Sequence, residues 1–367
     1  MMKLHIIQAR FGDCFLLEYG QQDQPAFMLI DGGPSDTYIK HLKPALQQIM
    51  QQYPHLEDVV ISHVDNDHIV GVLDLLTDLQ KQQDTGQQPF LSLGQLWFNS
   101  FSRTISTDKL EDRLGGIQKT ASINGLSMQA MSVAVNGIRE GSRVMARAAH
   151  LKLPVNKEAP GGFFLAEKTN TVIRRQNLEI TVAGPTRNNL EKLRKEWEEW
   201  IQKNEREIAA GKYTKDVAAA LDRSVPNLSS IVLLVKGDGK TILLTGDCRG
   251  DHLQESLIET GLGPDGRIHV DILKVPHHGS IRNVPPGFFE KVTADTYVIS
   301  ADGTYGNPDT ETLLQIVDAA NQSARKIRLV FTNETATIGE LKQVRPEDKY
   351  GYETECLPAD ASFFTIG

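Results

Sequence analysis

The segment Ser62-His63-Val64-Asp65-Asn66-Asp67-His68 decides the fold, because it places two imidazoles and two carboxylates close together in the chain. It follows the apolar run Val59-Val60-Ile61, whose β-branched side chains predict a buried strand. Residues 69–76 are mostly apolar and predict the beginning of a helix. The polar side chains therefore lie on a strand-to-helix loop, where a rigid scaffold usually presents chemistry.

The spacing within this loop favours metal binding. His63, Asp65 and Asp67 share the parity of an extended segment, and His68 can turn toward a second centre as the helix begins. Carboxylates this close repel one another unless a cation lies between them. The pattern thus predicts two metal ions held side by side, and a solvated polar loop is the alternative.

The same segment resembles the metal-binding signature of the metallo-β-lactamase superfamily, HxHxDH, in its HxDxDH variant with Asp65 at the second histidine position. That variant is typical of the branch that resembles the hydrolase domain of the ComEC competence protein and related phosphodiesterases. The resemblance implies an α/β (α+β) fold, the four-layered αββα sandwich of that superfamily. We expect a single domain over residues 1–367, with a mainly helical insertion at 102–225.

Upstream of the loop, residues 3–9, 14–19 and 26–30 predict three successive strands, and 40–53 a helix. The third strand ends in Asp31-Gly32-Gly33, where a glycine pair allows a tight turn. FGDC followed by LIDGG is similar to the entry segment of ComEC-like hydrolases. That resemblance implies that Asp31 supports the metal loop without binding metal, although an ordinary hairpin and turn explain these residues equally well.

Downstream, residues 230–235 and 241–244 predict a hairpin with a DG turn that delivers Asp247. A strand over 270–275 then leads into Pro276-His277-His278-Gly279-Ser280. The succession of NxSS (from Asn227), LLTGD and LKVPHHGS is similar to the same branch. By this resemblance Asp247 bridges both metal ions, and His278, the favoured histidine of the pair, completes the first site.

Further elements complete the predicted framework. Strands are expected over 91–98, 170–174, 178–183, 297–300 and 327–331, and a helix over 311–320. The pair 170–174 and 178–183 is expected to rejoin the sheet after the insertion. The tail to Gly367 is expected to close the second sheet.

The sequence leaves the family pattern at Asn307. Relatives commonly read YGHP where this chain reads Tyr305-Gly306-Asn307-Pro308, and that histidine closes their second metal site. An amide oxygen is a harder and weaker ligand than imidazole and suits Mn²⁺ or Mg²⁺ better than Zn²⁺. We therefore expect a weak second site, in which Asp302 or Asp309 is an alternative ligand.

The resemblance implies a metal-dependent hydrolase, a phosphodiesterase or nuclease that uses a metal-bridging hydroxide. The cofactors are Zn²⁺ or Mn²⁺, up to two ions per chain. The expected ligands of the first ion are His63, Asp65, Asp247 and His278, and those of the second are Asp67, His68, Asp247 and Asn307. The candidate catalytic residues are Asp67, Asp247, Lys274 and His277, and Ser280 is a candidate substrate-binding residue.

Two other functions remain open. One is a lactonase or thioesterase of the same superfamily, disfavoured by Asp65 and by the lack of a TPGHTPG-like segment before Asp247. The other is a non-catalytic metal-binding subunit of a larger assembly, which Asn307 and the insertion keep open.

Composition limits the partners and the compartment. The net charge of −8 gives no general support for nucleic-acid binding, so an anionic substrate must meet a local basic patch or the metals. No signal-peptide layout and no 18-residue apolar run are visible, so no membrane association is expected. Three well-separated cysteines fit a reducing compartment, and we expect a cytoplasmic protein.

Two parts of the insertion are candidates for binding. Residues 139–175 carry eight basic and three acidic residues, and Arg139, Arg143 and Arg147 recur on one helical face. Arg143 and Arg147 are candidate contacts for a phosphodiester substrate such as a nucleic acid or nucleotide, with solvated surface as the alternative. Residues 188–210 form an amphipathic pattern that predicts a helix docked on its own domain or, alternatively, a homo-oligomer or partner-protein contact.

Overall fold

A computed structural model describes residues 1–100, 132–168, 172–192, 195, 199 and 229–367, with side-chain burial in the helix at 132–150 given from residue 139. About half of the predicted insertion, including most of the amphipathic segment 188–210, lies outside the described residues, and so does Asn227. The boundaries and docking of the insertion therefore stay predictions.

The chain belongs to the α/β class and contains two mixed β-sheets. The first sheet has the order β14-β1-β2-β3-β4-β5. Strands β14, β1, β2 and β3 pair antiparallel, whereas β3, β4 and β5 pair parallel. Its strands are β1 (Met2–Ile7), β2 (Phe15–Gln21), β3 (Gln24–Ile30), β4 (His55–Ile61), β5 (Ser92–Phe98) and β14 (Phe363–Ile366).

The second sheet has the order β13-β12-β11-β10-β9-β8-β7-β6. Strands β6 to β9 pair antiparallel, and β9 to β13 pair parallel. Its strands are β6 (Val172–Arg175), β7 (Leu178–Gly184), β8 (Val232–Gly237), β9 (Lys240–Leu244), β10 (Ile268–Lys274), β11 (Val292–Ile299), β12 (Ile327–Phe331) and β13 (Tyr352–Cys356).

The labelled helices are α1 (Lys43–Ile49), α2 (Asn66–Asp84), α3 (Ser132–His150), α4 (Gly250–Thr260), α5 (Phe288–Lys291), α6 (Thr310–Gln322), α7 (Ala336–Val344) and α8 (Glu347–Tyr350). A π-helical segment, Tyr38–Leu42, precedes α1. In the described part of the chain, no helix is both long and apolar enough to cross a bilayer.

Three apolar clusters hold these elements together. One joins the first sheet to α1, α2 and α3, and another joins the second sheet to α4, α5, α6 and α7. The third contains residues of both sheets, such as Leu17 of β2 and Val298 of β11, so the sheets face each other. Burial of these side chains is the main stabilising contribution to the fold.

Two glycines fix α2 against the end of β3. A Cβ atom on Gly71 would lie 1.9 Å from the carbonyl oxygen of Gly32, so any side chain there would separate the two segments. The contact is closed by hydrogen bonds from the Gly32 amide to the His68 carbonyl (2.8 Å) and from the Gly71 amide to the Gly33 carbonyl (3.0 Å). Because of this approach, the first turn of α2 lies directly beside Asp31.

The strands and helices that the sequence predicted among the described residues are present, although β11 (Val292–Ile299) begins well before the expected 297. Helices α4, α7 and α8 were not predicted. The expectation that the tail closes the second sheet is confirmed only in part. The tail contributes β13 to the second sheet, but its last strand, β14, pairs with β1 in the first sheet. An unpaired β1 would expose a row of backbone donors and acceptors, and β14 covers that edge.

Candidate metal centre

The polar site is built from loops at the carboxyl ends of parallel strands. Residues 62–68 follow β4, Asp247 follows β9, and His277 and His278 follow β10. The turn between β1 and β2 adds Asp13, whose amide donates to the Asp67 carbonyl (3.1 Å). Strands β9 and β10 are parallel neighbours and end at the same edge of the second sheet. Residues after β4 reach them from the facing first sheet.

Ligand atoms of Asp67, His68, Asp247 and His278 all lie within 4.8 Å of one another, and we call these four residues the metal cluster. His278 Nε2 lies 3.2 Å from Asp67 Oδ2 and 3.3 Å from Asp247 Oδ2. His68 Nε2 lies 3.3 Å from Asp247 Oδ1. Asp247 thus contacts both histidines, one through each of its oxygens.

His63 and Asp65 lie beside the metal cluster. His63 Nε2 is 3.5 Å from Asp65 Oδ2 and 3.9 Å from Asp247 Oδ2. His278 is grouped with Asp67 and His68, although the sequence assigned it to the ion held by His63 and Asp65. The division of the ligands between two ions therefore stays a prediction.

The histidines are oriented as metal ligands usually are. The Nδ1 atom of His63 pairs with Ser62 Oγ (3.0 Å), that of His68 with Asp31 Oδ2 (2.8 Å), and that of His278 with the Ser300 carbonyl (2.8 Å). Each Nε2 atom is buried and forms no hydrogen bond with the described residues. Three buried imidazole nitrogens directed at carboxylates fit a divalent cation, since metal-bound histidines typically use the other ring nitrogen in this way.

Asp31 supports the loop of residues 62–68, in agreement with what the resemblance implied for this residue. Its carboxylate accepts hydrogen bonds from the Ser62 amide and the Ser62 hydroxyl, both at 2.7 Å. It also contacts His68 Nδ1, and it is almost completely buried. Asp31, Asp13 and His68 form a second group whose ligand atoms could hold a cation.

Lys274 is a buried cation within the site. Its Nζ atom lies 2.5 Å from Asp13 Oδ2 and 3.4 Å from Asp247 Oδ1, and it donates to the Gly246 carbonyl at 2.8 Å. Burial alone would lower the pKa of Lys274, but the carboxylates of Asp13 and Asp247 raise it above its usual value. The side chain is therefore an ammonium that holds two carboxylates in place.

Excess negative charge dominates the electrostatics of the centre. Burial would raise the pKa of Asp247, but His278, His68, His277 and Lys274 hold it well below its usual range. Burial would lower the pKa of His278, yet Asp247 and Asp13 raise it to about 10. In the absence of a metal ion, the carboxylates thus draw protons onto imidazoles that would otherwise bind a cation.

His277 differs from its neighbour. It is half-buried, and burial lowers its pKa although Asp247 acts in the opposite direction. Its Nε2 atom lies 3.8 Å from Asp247 Oδ2. His277 is therefore a neutral imidazole at neutral pH, at the edge of the centre.

The residues considered for closing a second site are held in other ways. The backbone of Asn307 closes a short turn, because its carbonyl accepts from the Gly303 amide (3.0 Å) and its amide donates to the Thr304 carbonyl (3.4 Å). A metal-binding role for the Asn307 side chain stays a prediction. Asp309 accepts a hydrogen bond from the Ile281 amide (2.8 Å), and Asp302 accepts one from the Thr304 amide (2.9 Å). Asp309 therefore supports the loop that carries His278 and the largely buried Ser280.

The predicted basic contacts have partners within the protein. Arg143 donates to Glu140 Oε2 (2.7 Å), and Arg147 donates to Gln80 Oε1 (3.0 Å). The segment also supplies Arg175 to acidic partners described below. The positive balance of 139–175 is thus partly neutralised, and a substrate role for Arg143 and Arg147 stays a prediction.

Two residues that complete the centre were assigned no role from the sequence. Asp13 contacts Lys274, and Ser300 orients His278. Asp13 lies in the FGDC segment, so its place in a short turn between strands was the available signal. The role of Ser300 depends on a backbone carbonyl, for which side-chain patterns contain no signal.

Comparison with known proteins gives a limited result. No family model matches the chain. The chain is 30% identical over 148 residues to ComE operon protein 3 of Bacillus subtilis (strain 168), a match that covers 40% of this chain and 17% of that protein. This weak similarity hints at kinship with the ComEC-like branch, although the match spans less than a fifth of the relative's length.

A solved protein of unknown function from Enterococcus faecalis V583 aligns with 98% of this chain and 79% of its own. The TM-score is 0.30 and the sequence identity 11%, so this likeness carries no argument.

Proposed function

We propose that the protein is a metal-dependent hydrolase of phosphodiesters with the four-layered αββα sandwich of the metallo-β-lactamase superfamily. The observation that carries the proposal is the convergence of the Nε2 atoms of His63, His68 and His278 on Asp67 and Asp247, without hydrogen-bond partners among the described residues. The HxDxDH motif and the partial similarity to ComE operon protein 3 support the same class.

The residues that would hold metal are His63, Asp65, Asp67, His68, Asp247 and His278. A divalent ion bound there would lower the pKa of a water molecule to about 7 and stabilise the negative charge that develops during hydrolysis. Zn²⁺ and Mn²⁺ are the proposed ions, since the site combines imidazole with carboxylate ligands.

The protein's own groups would prepare this reaction. Asp31 and Ser62 hold His63 and His68 in the orientation that directs Nε2 at the site. Lys274 stays charged and fixes Asp247 against Asp13. His277, neutral at neutral pH, would accept a proton and return it to the leaving oxygen, which is the usual task of a general acid–base histidine.

The test is multiple-turnover cleavage of bis-p-nitrophenyl phosphate by protein loaded with Mn²⁺ or Zn²⁺. We expect Asp67→Ala to lower kcat by about 10³-fold, about 4 kcal/mol of transition-state stabilisation. Asp84→Ala is the matched control, because Asp84 lies at the exposed end of the same helix and pairs with His150 (2.9 Å).

The possible outcomes separate the alternatives. Wild-type protein that binds metal but hydrolyses neither phosphodiesters, lactones nor thioesters would be a metal-binding subunit. Turnover of a lactone or thioester in place of the phosphodiester would support the assignment as a hydrolase but contradict the proposed substrate class. Near wild-type kcat in Asp67→Ala would contradict the assignment of the centre.

A further inference from the structure

Tyr305 is an unusually exposed aromatic residue. Its side chain is 84% exposed, the highest value among the exposed large hydrophobic residues in the described part of the chain. Its backbone is left-handed, with φ 61°, between Gly303 (φ 85°) and Gly306 (φ 82°). This conformation is unfavourable for a bulky residue, and glycine would adopt it without strain. Burial does not explain why tyrosine occupies the position.

Tyr305 lies against two residues from the turn that follows β1. The rings of Phe11 and Tyr305 are 5.6 Å apart at their centroids and meet edge to face at 88°. Arg10 Cζ lies 5.2 Å from the centroid of Phe11, and Arg10 is exposed. We call Arg10, Phe11 and Tyr305 the aromatic platform.

The loops that carry the aromatic platform are tied together. The Ser300 hydroxyl donates to the Gly12 carbonyl (2.5 Å). Asn333 Nδ2 donates to the carbonyls of Ala301 (2.9 Å) and Arg10 (3.3 Å). These bonds fix Phe11 relative to the segment that leads to Tyr305.

The same two loops form part of the metal centre. Asp13, two residues after Phe11, contacts Lys274 at 2.5 Å and His278 Nδ1 at 3.5 Å. Two residues span at most about 7 Å, so Phe11 begins close to the centre. Ser300, five residues before Tyr305, accepts the hydrogen bond of His278. The aromatic platform is therefore anchored to the residues that orient the metal ligands.

We propose that the aromatic platform stacks an unpaired base of a single-stranded nucleic acid whose phosphodiester lies at the metal centre, an inference that rests on the proposed function. Every nucleobase has a flat π-face, and stacking on aromatic side chains is a common, sequence-tolerant way to bind single strands. Arg10 adds a cation beside the ring, suited to the base or to a neighbouring phosphate. A duplex keeps its bases stacked on one another and lacks this contact.

The experiment compares a fluorescein-labelled strand of ten thymidines with a labelled ten-unit abasic strand. Fluorescence anisotropy gives Kd in an Asp67→Ala background, where the strand stays intact, and steady-state cleavage gives KM in otherwise wild-type protein. We expect Tyr305→Ala to raise Kd and KM for the thymidine strand about tenfold, and to reduce the preference over the abasic strand by the same factor. Tyr305→Phe keeps the ring and should keep the preference.

Two further variants make the result specific. Tyr53→Ala removes another exposed aromatic residue, which precedes the amino end of β4, and should not alter the preference. Tyr305→Gly relieves the left-handed strain but loses the contact with Phe11, so it should change Tm little while it lowers base preference. A merely structural tyrosine would not separate these two effects.

The outcomes distinguish this inference from the proposed function. Wild-type protein that prefers the thymidine strand in binding but cleaves no phosphodiester would overturn the hydrolase and keep the platform. Wild-type protein that cleaves the strand, with an unchanged base preference in Tyr305→Ala, would overturn the platform and keep the hydrolase. Equal affinity for a thymidine strand and a thymidine–adenine duplex would also overturn it.

Discussion

Strand β4 and the loop after it supply residues to two polar groups of opposite character. Within the strand, Asp58 forms a group with Gln95, Glu158 and Arg175. We call these four residues the arginine cluster. Arg175 donates to Asp58 (2.9 and 3.1 Å) and to Glu158 (3.0 and 2.5 Å), and Gln95 donates to both acids (2.9 and 3.0 Å). After its end, the metal cluster leaves imidazole nitrogens without hydrogen bonds to the described residues.

The difference shows how to separate structural from functional buried charge. In the arginine cluster the one guanidinium of Arg175 donates to both acids, so each carboxylate has a charged partner within the protein. In the metal centre the single buried ammonium of Lys274 faces several carboxylates, and the histidines are directed at the excess. A buried polar group normally finds its partners within the fold, and several unpartnered nitrogens gathered beside carboxylates call for an explanation such as a bound cation.

The largest expected effect is that of Arg175→Met, which tests whether the arginine cluster stabilises the fold. It leaves Asp58 buried without its guanidinium, and we expect a loss of about 3 kcal/mol in the free energy of unfolding, measured by urea denaturation. Activity per folded molecule should be unchanged. Arg174→Met is the control, since Arg174 pairs with Glu179 on the exposed surface and should cost under about 0.5 kcal/mol. Equal effects of both variants would mean that the arginine cluster is not structural.

Ser62→Ala tests the support of the metal ligands. The hydroxyl contacts Asp31 and His63, so its loss should lower metal affinity by about 10- to 100-fold. A competition titration with a chelating dye measures the dissociation constant, and Ser92→Ala at the start of β5 is the control. Unchanged metal affinity in Ser62→Ala would show that the Ser62 hydroxyl does not support the metal ligands.

The pH dependence of stability should differ with and without metal. The pKa of His278 in the metal-free fold is about 10, above the usual 6.5, so its stabilising contribution is complete below pH 6.5 and is lost as the pH rises through 10. We expect Tm of EDTA-treated protein to fall by a few degrees between pH 7 and 10. Metal-loaded protein has deprotonated ligands already, and a parallel fall in its Tm would contradict this account.

The smallest expected effect concerns the basic helix. Arg143 pairs with Glu140 but is half exposed, so it can still approach a phosphate. Arg143→Glu should raise KM for an anionic substrate about threefold, leave kcat nearly unchanged, and flatten the salt dependence of KM. Arg328→Glu, on β12 of the second sheet, is the control. If Arg143→Glu has the same KM as the wild type at every salt concentration, Arg143 does not contact the substrate.

The sequence predicted the elements well because their signals are local. Hydrophobic runs predicted the strands, and the HxDxDH segment predicted which loop carries ligands. The features that the sequence could not predict depend on contacts between residues far apart in the chain. The contact of Asp13 with Lys274 joins residues that are far apart in the chain, and the placement of β14 depends on the open edge of β1. The ion pair of Arg143 is a local contact that could have been predicted, because Glu140 lies one helical turn away.

The pairing of β14 with β1 also bears on how the molecule folds. His5 on β1 and Thr365 on β14 are 360 positions apart, and their side chains meet at 2.8 Å. Contacts so distant in the chain form late and slow the approach to the native state. Until β14 arrives during synthesis, β1 presents an open edge on which another nascent chain can pair. Strand β14 therefore closes an edge of the first sheet that would otherwise be open to pairing with another chain.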